Sequence, residues 1–142
     1  MQLDEMILDV DQKIEINAGV ETVYKALIHR LSDGNGGGGT PMPMKLEQWP
    51  GGRWYRDLGE GIGHLWGHVQ VIKPPTLIEI CGPMFMSYPV SGHLALRLTE
   101  EGSVTTLSLR HRAIGMVTPD HREGVKQGWG GLMEGVKQDS EG

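Results

Sequence analysis

From residue 7 to 17 apolar and polar side chains alternate. Leu8, Val10, Ile14 and Ile16 share one face, and Asp9, Asp11, Lys13 and Glu15 share the other, which predicts a half-buried strand. The period then changes. Val20, Val23, Tyr24, Leu27 and Leu31 fall on one helical stripe, with Glu21 and Lys25 four apart on the outside. This predicts a helix over about 18–31, with Asn17 placed to cap it. After a glycine-rich stretch the alternation returns in short runs at 45–49, 53–58, 62–73, 77–81, 92–99 and 103–113. Pro50-Gly51-Gly52, Gly59-Glu60-Gly61, Pro74-Pro75 and Glu100-Glu101-Gly102 punctuate those runs as turns. In the last two strands, Leu94, Leu96 and Leu98 face one way and His93 and Arg97 the other. Leu107 and Leu109 likewise oppose Thr106, Ser108 and Arg110.

The chain then turns helical from Thr118 to Gln138. Thr118 is an N-cap residue, Pro119 suits the first helical position, and Asp120 and Glu123 favour the positive end of the helix dipole. Val125, Trp129, Leu132, Met133 and Val136 make its apolar stripe. Gly124, Gly128, Gly130 and Gly131 sit inside it, each costing roughly 1 kcal/mol of helix propensity against alanine. Such a helix needs a holder, and its glycines let a backbone or a ligand come close. The order is strand, helix, loop, about six antiparallel strands, long helix. It predicts an α+β fold in which a curved sheet buries one face under the C-terminal helix, with a groove between them.

Composition narrows the function classes. The 142 residues fit one domain, 1–142, with 22% charged and 38% apolar residues. A net charge of −5 argues against nucleic acid as partner, since the one basic cluster, Arg110-His111-Arg112, belongs to a strand. No run approaches the roughly 18 apolar residues of a membrane span, so no membrane partner is expected. The first ten residues carry three acids and no basic flank, unlike a signal peptide. With one cysteine, Cys81, an intrachain disulfide is excluded, and the expected location is cytoplasmic.

Several candidate motifs carry little chemistry. Gly34, Gly36 and Gly39 match the letters of a dinucleotide fingerprint, but a helix precedes them and Thr40-Pro41-Met42-Pro43 follows, so a surface loop is expected and no cofactor. His64 and His68, four apart on a strand, would share a face about 13 Å apart, too far for one metal. No metal site is expected. Trp66 would face away from Leu65 and Val69 unless a bulge near Gly63 or Gly67 shifts the register. Nothing cationic beside Cys81 in the sequence suggests activation of its thiol.

Other residues carry more. His111 continues the Leu107/Leu109 face, which points it inward near the strand's end. There it is a hydrogen-bonded core histidine, a polar anchor for a ligand, or a general base. On the strand 53–58, either Tyr55 with Asp57 or Trp54 with Arg56 and Leu58 looks into the groove, and alternation alone does not choose. The segment Gly82–Val90 is too apolar for an idle loop: Met84, Phe85, Met86 and Tyr88 make it a subunit interface, a lid or plain packing.

Taken together, IEINAGVETVYKAL (Ile14–Leu27), WPGGRW (Trp49–Trp54), GHVQVIKPPTLIEI (Gly67–Ile80), LALRLTEEGSVTTLSLRH (Leu94–His111) and GWGGLMEGVK (Gly128–Lys137) span nearly the whole chain. In this order they resemble the SRPBCC superfamily, the START-like or birch-pollen-allergen-like helix-grip proteins. Within it they are similar to the branch named after the C-terminal domain of the activator of the heat-shock-protein-90 ATPase. The resemblance implies a seven-stranded sheet gripping the C-terminal helix around a cavity. The second short helix usual in such proteins is replaced here by the glycine run Gly34–Gly39.

Three functions follow. The first is binding of a small apolar or amphipathic molecule between sheet and helix, by His111, Trp129, Met133, Leu94, Leu96, Leu107, Leu109, Tyr55, Met84 and Phe85. The second is an enzyme of the cyclase, dehydratase or hydrolase kind, as the resemblance implies for some helix-grip proteins. It needs His111 beside Tyr55 or Asp57. The third is a chaperone-regulating interaction module. A homodimer through Gly82–Val90 is the expected assembly.

Overall fold

The computed structural model describes residues 2–36 and 40–142. The Gly37–Gly39 part of the glycine run, with the last letter of the fingerprint match, lies outside the described residues. A short 3-10 turn, Leu3–Met6, leads into β1 (Ile7–Ile16), followed by α1 (Val20–Leu31), β2 (Lys45–Leu46), β3 (Arg53–Gly59), β4 (Ile62–Lys73), β5 (Leu77–Cys81), β6 (Val90–Glu101), β7 (Val104–Gly115) and α2 (Pro119–Glu141). All seven strands form one antiparallel sheet in the order β1-β7-β6-β5-β4-β3-β2. This is the α+β architecture that the strand and helix order predicts and the helix-grip sheet that the resemblance implies. No helix among the described residues is long and apolar enough to cross a membrane.

The alternating residues decide which face is covered. Leu8, Val10, Ile16, Leu94, Leu96, Leu98, Leu107 and Leu109 are buried on the inner face. β6 and β7 pair in the register that sets Leu96 opposite Leu109 and Leu98 opposite Leu107, so the two leucine rows meet. α2 lies against this face through Val125, Trp129, Met133 and Val136, all buried. It also covers the free edge of β1. Gln12 donates its side-chain amide to the Lys126 carbonyl at 3.2 Å, Lys137 donates to the Glu15 carbonyl at 2.9 Å, and Arg122 donates to the carbonyls of Ile7 and Glu5. An otherwise exposed edge strand is thereby sealed by the helix it helps to hold.

α1 starts two residues later than the pattern suggests, and its cap differs. Gly19 occupies the cap position without a side-chain bond. The orphan Val20 N–H is taken instead by the Glu100 carboxylate at 2.9 Å, while the Asn17 N–H donates to Glu141 at 2.7 Å. A distant carboxylate thus does what a local asparagine was expected to do.

The sheet departs from strict alternation at Trp66. Trp54 pairs with Gly67 but Tyr55 with Leu65, which leaves Trp66 as an extra residue in a β-bulge. The bulge turns Trp66 inward, where its ring meets that of Trp54 edge-on at 5.0 Å. It also corrects the placement of two histidines. His64 pairs with Arg56 and His68 with Arg53, residues of opposite faces, so the two imidazoles lie on opposite sides of the sheet. A second irregularity between Val69 and Val71 keeps Val69 buried.

Trp54 ties α1 to the sheet. Its indole is fully buried and its N–H donates to the Leu31 carbonyl at 2.8 Å, satisfying one of the orphan acceptors at the end of α1. Trp54→Ala removes the packing and the bond together. It is expected to cost about 3–5 kcal/mol, read as a lower midpoint in denaturant unfolding. An unchanged midpoint would contradict this anchoring role.

Candidate functional site

The inner face carries an unbroken run of rings. Trp54 contacts Trp66, Trp66 lies 5.6 Å from Phe85, Phe85 lies 5.6 Å from Trp129, and Trp129 meets His111 edge-on at 5.5 Å. Four parts of the fold supply it: the β3–β4 hairpin, the β5–β6 loop, α2 and β7. Each such pair contributes about 0.5–1.5 kcal/mol beyond its buried area.

At one end of the run, the Trp129 indole N–H donates to His111 Nδ1 at 2.9 Å. His111 is fully buried. It stands mid-sheet, opposite Val10 and Leu94, because β7 runs on to Gly115. The expected place at a cavity mouth is therefore corrected: Trp129 stands between His111 and open space. Burial lowers the imidazole pKa from 6.5 to about 4, with the nearby His93 adding to the shift. Nδ1 accepts from the indole, so the neutral ring carries its proton on Nε2. That atom has no partner among the described residues, and a Cβ on Gly92 would come within 3.3 Å of it.

Beside Trp129 an open trough of about 700 Å³ runs along α2. One wall carries Trp66 and Phe85, and Gly34, Asn35, Gly36, Thr40 and Met42 also line the trough. The other is the helix itself, where Gly124, Gly128, Gly131 and Gly135 line the trough at spacings of four, three and four residues. Among the described residues, a Cβ on Gly124, Gly128 or Gly131 would meet nothing within 4 Å, so the helix shows these residues bare backbone. Leu132 adds an apolar contact, and Arg30, Glu134 and Gln138 stand at the end near Gly135. Arg30 is forked onto Asp139 by bonds of 2.7 and 2.9 Å. Its guanidinium lies where a Cβ on Gly135 would sit, at 2.9–3.1 Å, so this glycine makes room for the ion pair.

The residues proposed from sequence divide accordingly. Trp129 and Phe85 line the trough. Leu94, Leu96, Leu107, Leu109 and Met133 are buried in the core behind it. Tyr55 lies on the outer face, its ring 4.5 Å beneath the Arg53 guanidinium, and Asp57 is paired there with Lys45 at 2.9 Å. Trp54 and Arg56 hold the inner face, so the acid–base pairing of His111 with Tyr55 or Asp57 does not form. In the Gly82–Val90 segment, Met84 and Met86 are buried in the chain's own core. Met84 adopts φ 59° and its N–H donates to the Trp66 carbonyl at 2.8 Å. Phe85, 38% exposed, stands between Trp66 and Trp129. Of this segment only Phe85 lines the trough, while Met84 and Met86 turn into the core. Trp66, Leu132, Arg30 and the glycine row were not proposed as site residues. The glycine spacing was the available signal.

The buried neutral histidine has a consequence for stability. With its folded pKa below the unfolded value, the unfolded chain binds the extra proton between pH 6.5 and about 4. Stability contributed by the neutral ring is therefore present at pH 7 and falls as the pH drops through that window, by at most about 3 kcal/mol. His111→Leu is expected to lose about 1–3 kcal/mol at pH 7 by orphaning the indole N–H. Between pH 7 and 4 the variant should lose less than the wild type. Parallel pH–stability curves for the two proteins would contradict the assignment.

A family model described as Activator of Hsp90 ATPase homolog 1-like protein matches residues 17–138. No curated protein matches the chain. Among solved structures, CalU16 from Micromonospora echinospora is 21% identical with a TM-score of 0.64, over 92% of this chain and 74% of that one. The Aha1 dimer from Colwellia psychrerythraea is 15% identical with a TM-score of 0.70, over 94% of this chain and 96% of that one. The di-domain ARO/CYC StfQ from the steffimycin biosynthetic pathway is 14% identical with a TM-score of 0.67, and the match covers 98% of this chain and 52% of StfQ. At these identities the structural likenesses show the fold. The family match spans most of the chain, which therefore belongs to the Activator of Hsp90 ATPase homolog 1-like family.

Proposed function

We propose that this protein binds a small, flat, mainly apolar molecule in the trough between α2 and the aromatic wall. The observation that carries this reading is the glycine face of α2, with Trp129 beside it on the helix, lining one open volume of about 700 Å³ together with Trp66 and Phe85. A flat ring system can lie against backbone where no Cβ stands in the way, and stack on rings from the other side. The glycines are costly for the helix, and at Gly124, Gly128 and Gly131 no packing neighbour among the described residues accounts for the missing side chain. Keeping the trough open accounts for them, in the way that function commonly opposes stability. StfQ, whose fold this chain shares, is described as an ARO/CYC of a biosynthetic pathway, which agrees with a ring-shaped occupant.

Filling the trough from the helix side tests the reading. Gly128→Ala and Gly131→Ala should each stabilise the protein by about 0.5–1 kcal/mol, because an exposed helical glycine is replaced where space is free. Gly128→Leu and Gly131→Leu should fold equally well. They should weaken binding of flavone, an uncharged flat probe, by about tenfold or more, a loss of roughly 1.4 kcal/mol. Titration by quenching of tryptophan fluorescence measures this. Undiminished flavone binding by folded leucine variants, or none by the wild type, would contradict the proposal.

A further inference from the structure

A second compartment adjoins the trough. It has a volume of about 470 Å³ and lies over the first turn of α2. The two share Phe85 and Gly124, so they form one passage divided by the Phe85 ring. Phe85 meets a ring on each side, edge-on to Trp66 and tilted to Trp129, both at 5.6 Å, and is 38% exposed, so it stands as a partition held by ring contacts. Beyond it, Tyr88 from the β5–β6 loop and His121 from α2 stack 5.1 Å apart at 18°, with Tyr88 Oη 2.8 Å from His121 Nδ1.

The polar groups near the trough differ in availability. His111 is sealed behind Trp129. Arg30 spends two guanidinium nitrogens on Asp139. Arg122, close enough to Tyr88 to influence its phenol, donates to the carbonyls of Ile7 and Glu5. Among the described residues the side chains of Tyr88 and His121 bond only to each other, and both residues line the compartment.

We infer that Tyr88 and His121 are the polar subsite of this passage, and that its occupant carries an uncharged hydroxyl or carbonyl at one end of a flat apolar body. The inference rests on the proposed function above and adds where the occupant's polar end sits. Both tautomers of the neutral imidazole support it. If the phenol donates to Nδ1, the pair leaves an Nε2–H donor and the lone pairs of the phenol oxygen. If Nδ1–H donates to the phenol oxygen, the pair leaves the phenol O–H donor and the Nε2 lone pair. In each case one donor and one acceptor remain, which match a hydroxyl on both counts and a carbonyl on one. Burial raises the Tyr88 pKa, which keeps the phenol protonated. Asp120 is the carboxylate lining the compartment and opposes an anionic head.

Three flavones separate the outcomes, each titrated by quenching of tryptophan fluorescence at pH 7.5. With 3′-hydroxyflavone, whose phenol stays protonated at this pH, as the hydroxyl probe, the wild type should bind it about fivefold more tightly than flavone, the scale of one net hydrogen bond. It should bind 3-methylflavone-8-carboxylate more weakly than either. Tyr88→Phe, which keeps the ring and its stacking, and His121→Ala should each reduce the hydroxyl preference about twofold or more while the far-ultraviolet circular dichroism stays that of the wild type. Their double variant should abolish the preference. Hydroxyl preference that survives in the double variant, or a wild type that prefers the carboxylate, would overturn this inference and leave the trough reading standing. Failure of the wild type to bind flavone at all would overturn both.

Discussion

The bond from the Trp129 indole to His111 is the constraint on which the site depends. α2 is a poor helix by itself, with glycine at 124, 128, 130, 131 and 135. It persists because one stripe of its surface is fixed in the sheet, and the polar centre of that stripe is satisfied by a buried neutral imidazole. A histidine can accept this bond only while unprotonated, and burial keeps it so. The glycine row sits one residue before the apolar row at 125 and 129, a rotation of about 100° around the helix. Fixing one stripe therefore leaves the neighbouring stripe open without a further support.

The aromatic run extends the same logic across the molecule. Trp54 joins α1 to β3, Trp66 turns inward through its bulge, and Phe85 completes the run to Trp129. Phe85 is the link held least by burial, since its neighbours Met84 and Met86 are the side chains sunk in the core. Met84 adopts a left-handed backbone that a non-glycine residue enters at a cost, and its buried side chain together with its bond to the Trp66 carbonyl maintain it. The loop is thus pinned on either side of a ring that stands at the boundary of two open volumes.

Much of this fold is legible from periodicity. β4 and β5 coincide with their alternating runs at 62–73 and 77–81, and the inward phase of Leu94, Leu96, Leu107 and Leu109 follows from counting by two. Counting fails where one residue is added. The bulge at Trp66 inverts everything before it in β4, which separates His64 from His68 and brings two tryptophans together. The extension of β7 to Gly115 is equally hidden, and it moves His111 from a strand end to mid-sheet. The α1 cap comes from Glu100, eighty residues away, beyond any local pattern. The site itself was visible as a row of glycines, but propensity marks them as weak points of a helix. Only the space around Gly124, Gly128 and Gly131 among the described residues distinguishes them from weak points.

The most direct test of the account is a titration of the 15N-labelled protein with flavone, followed by two-dimensional NMR. If the trough is the site, the amides of Gly124, Gly128 and Gly131 and the indole N–H of Trp129 should shift together along one binding curve. The outer-face amides around Tyr55 and Asp57 should stay unmoved. Shifts confined to the outer face, or a flavone that perturbs the leucine core while the glycine amides remain still, would contradict the claim that α2 is held on one stripe so that its neighbour can receive a ligand.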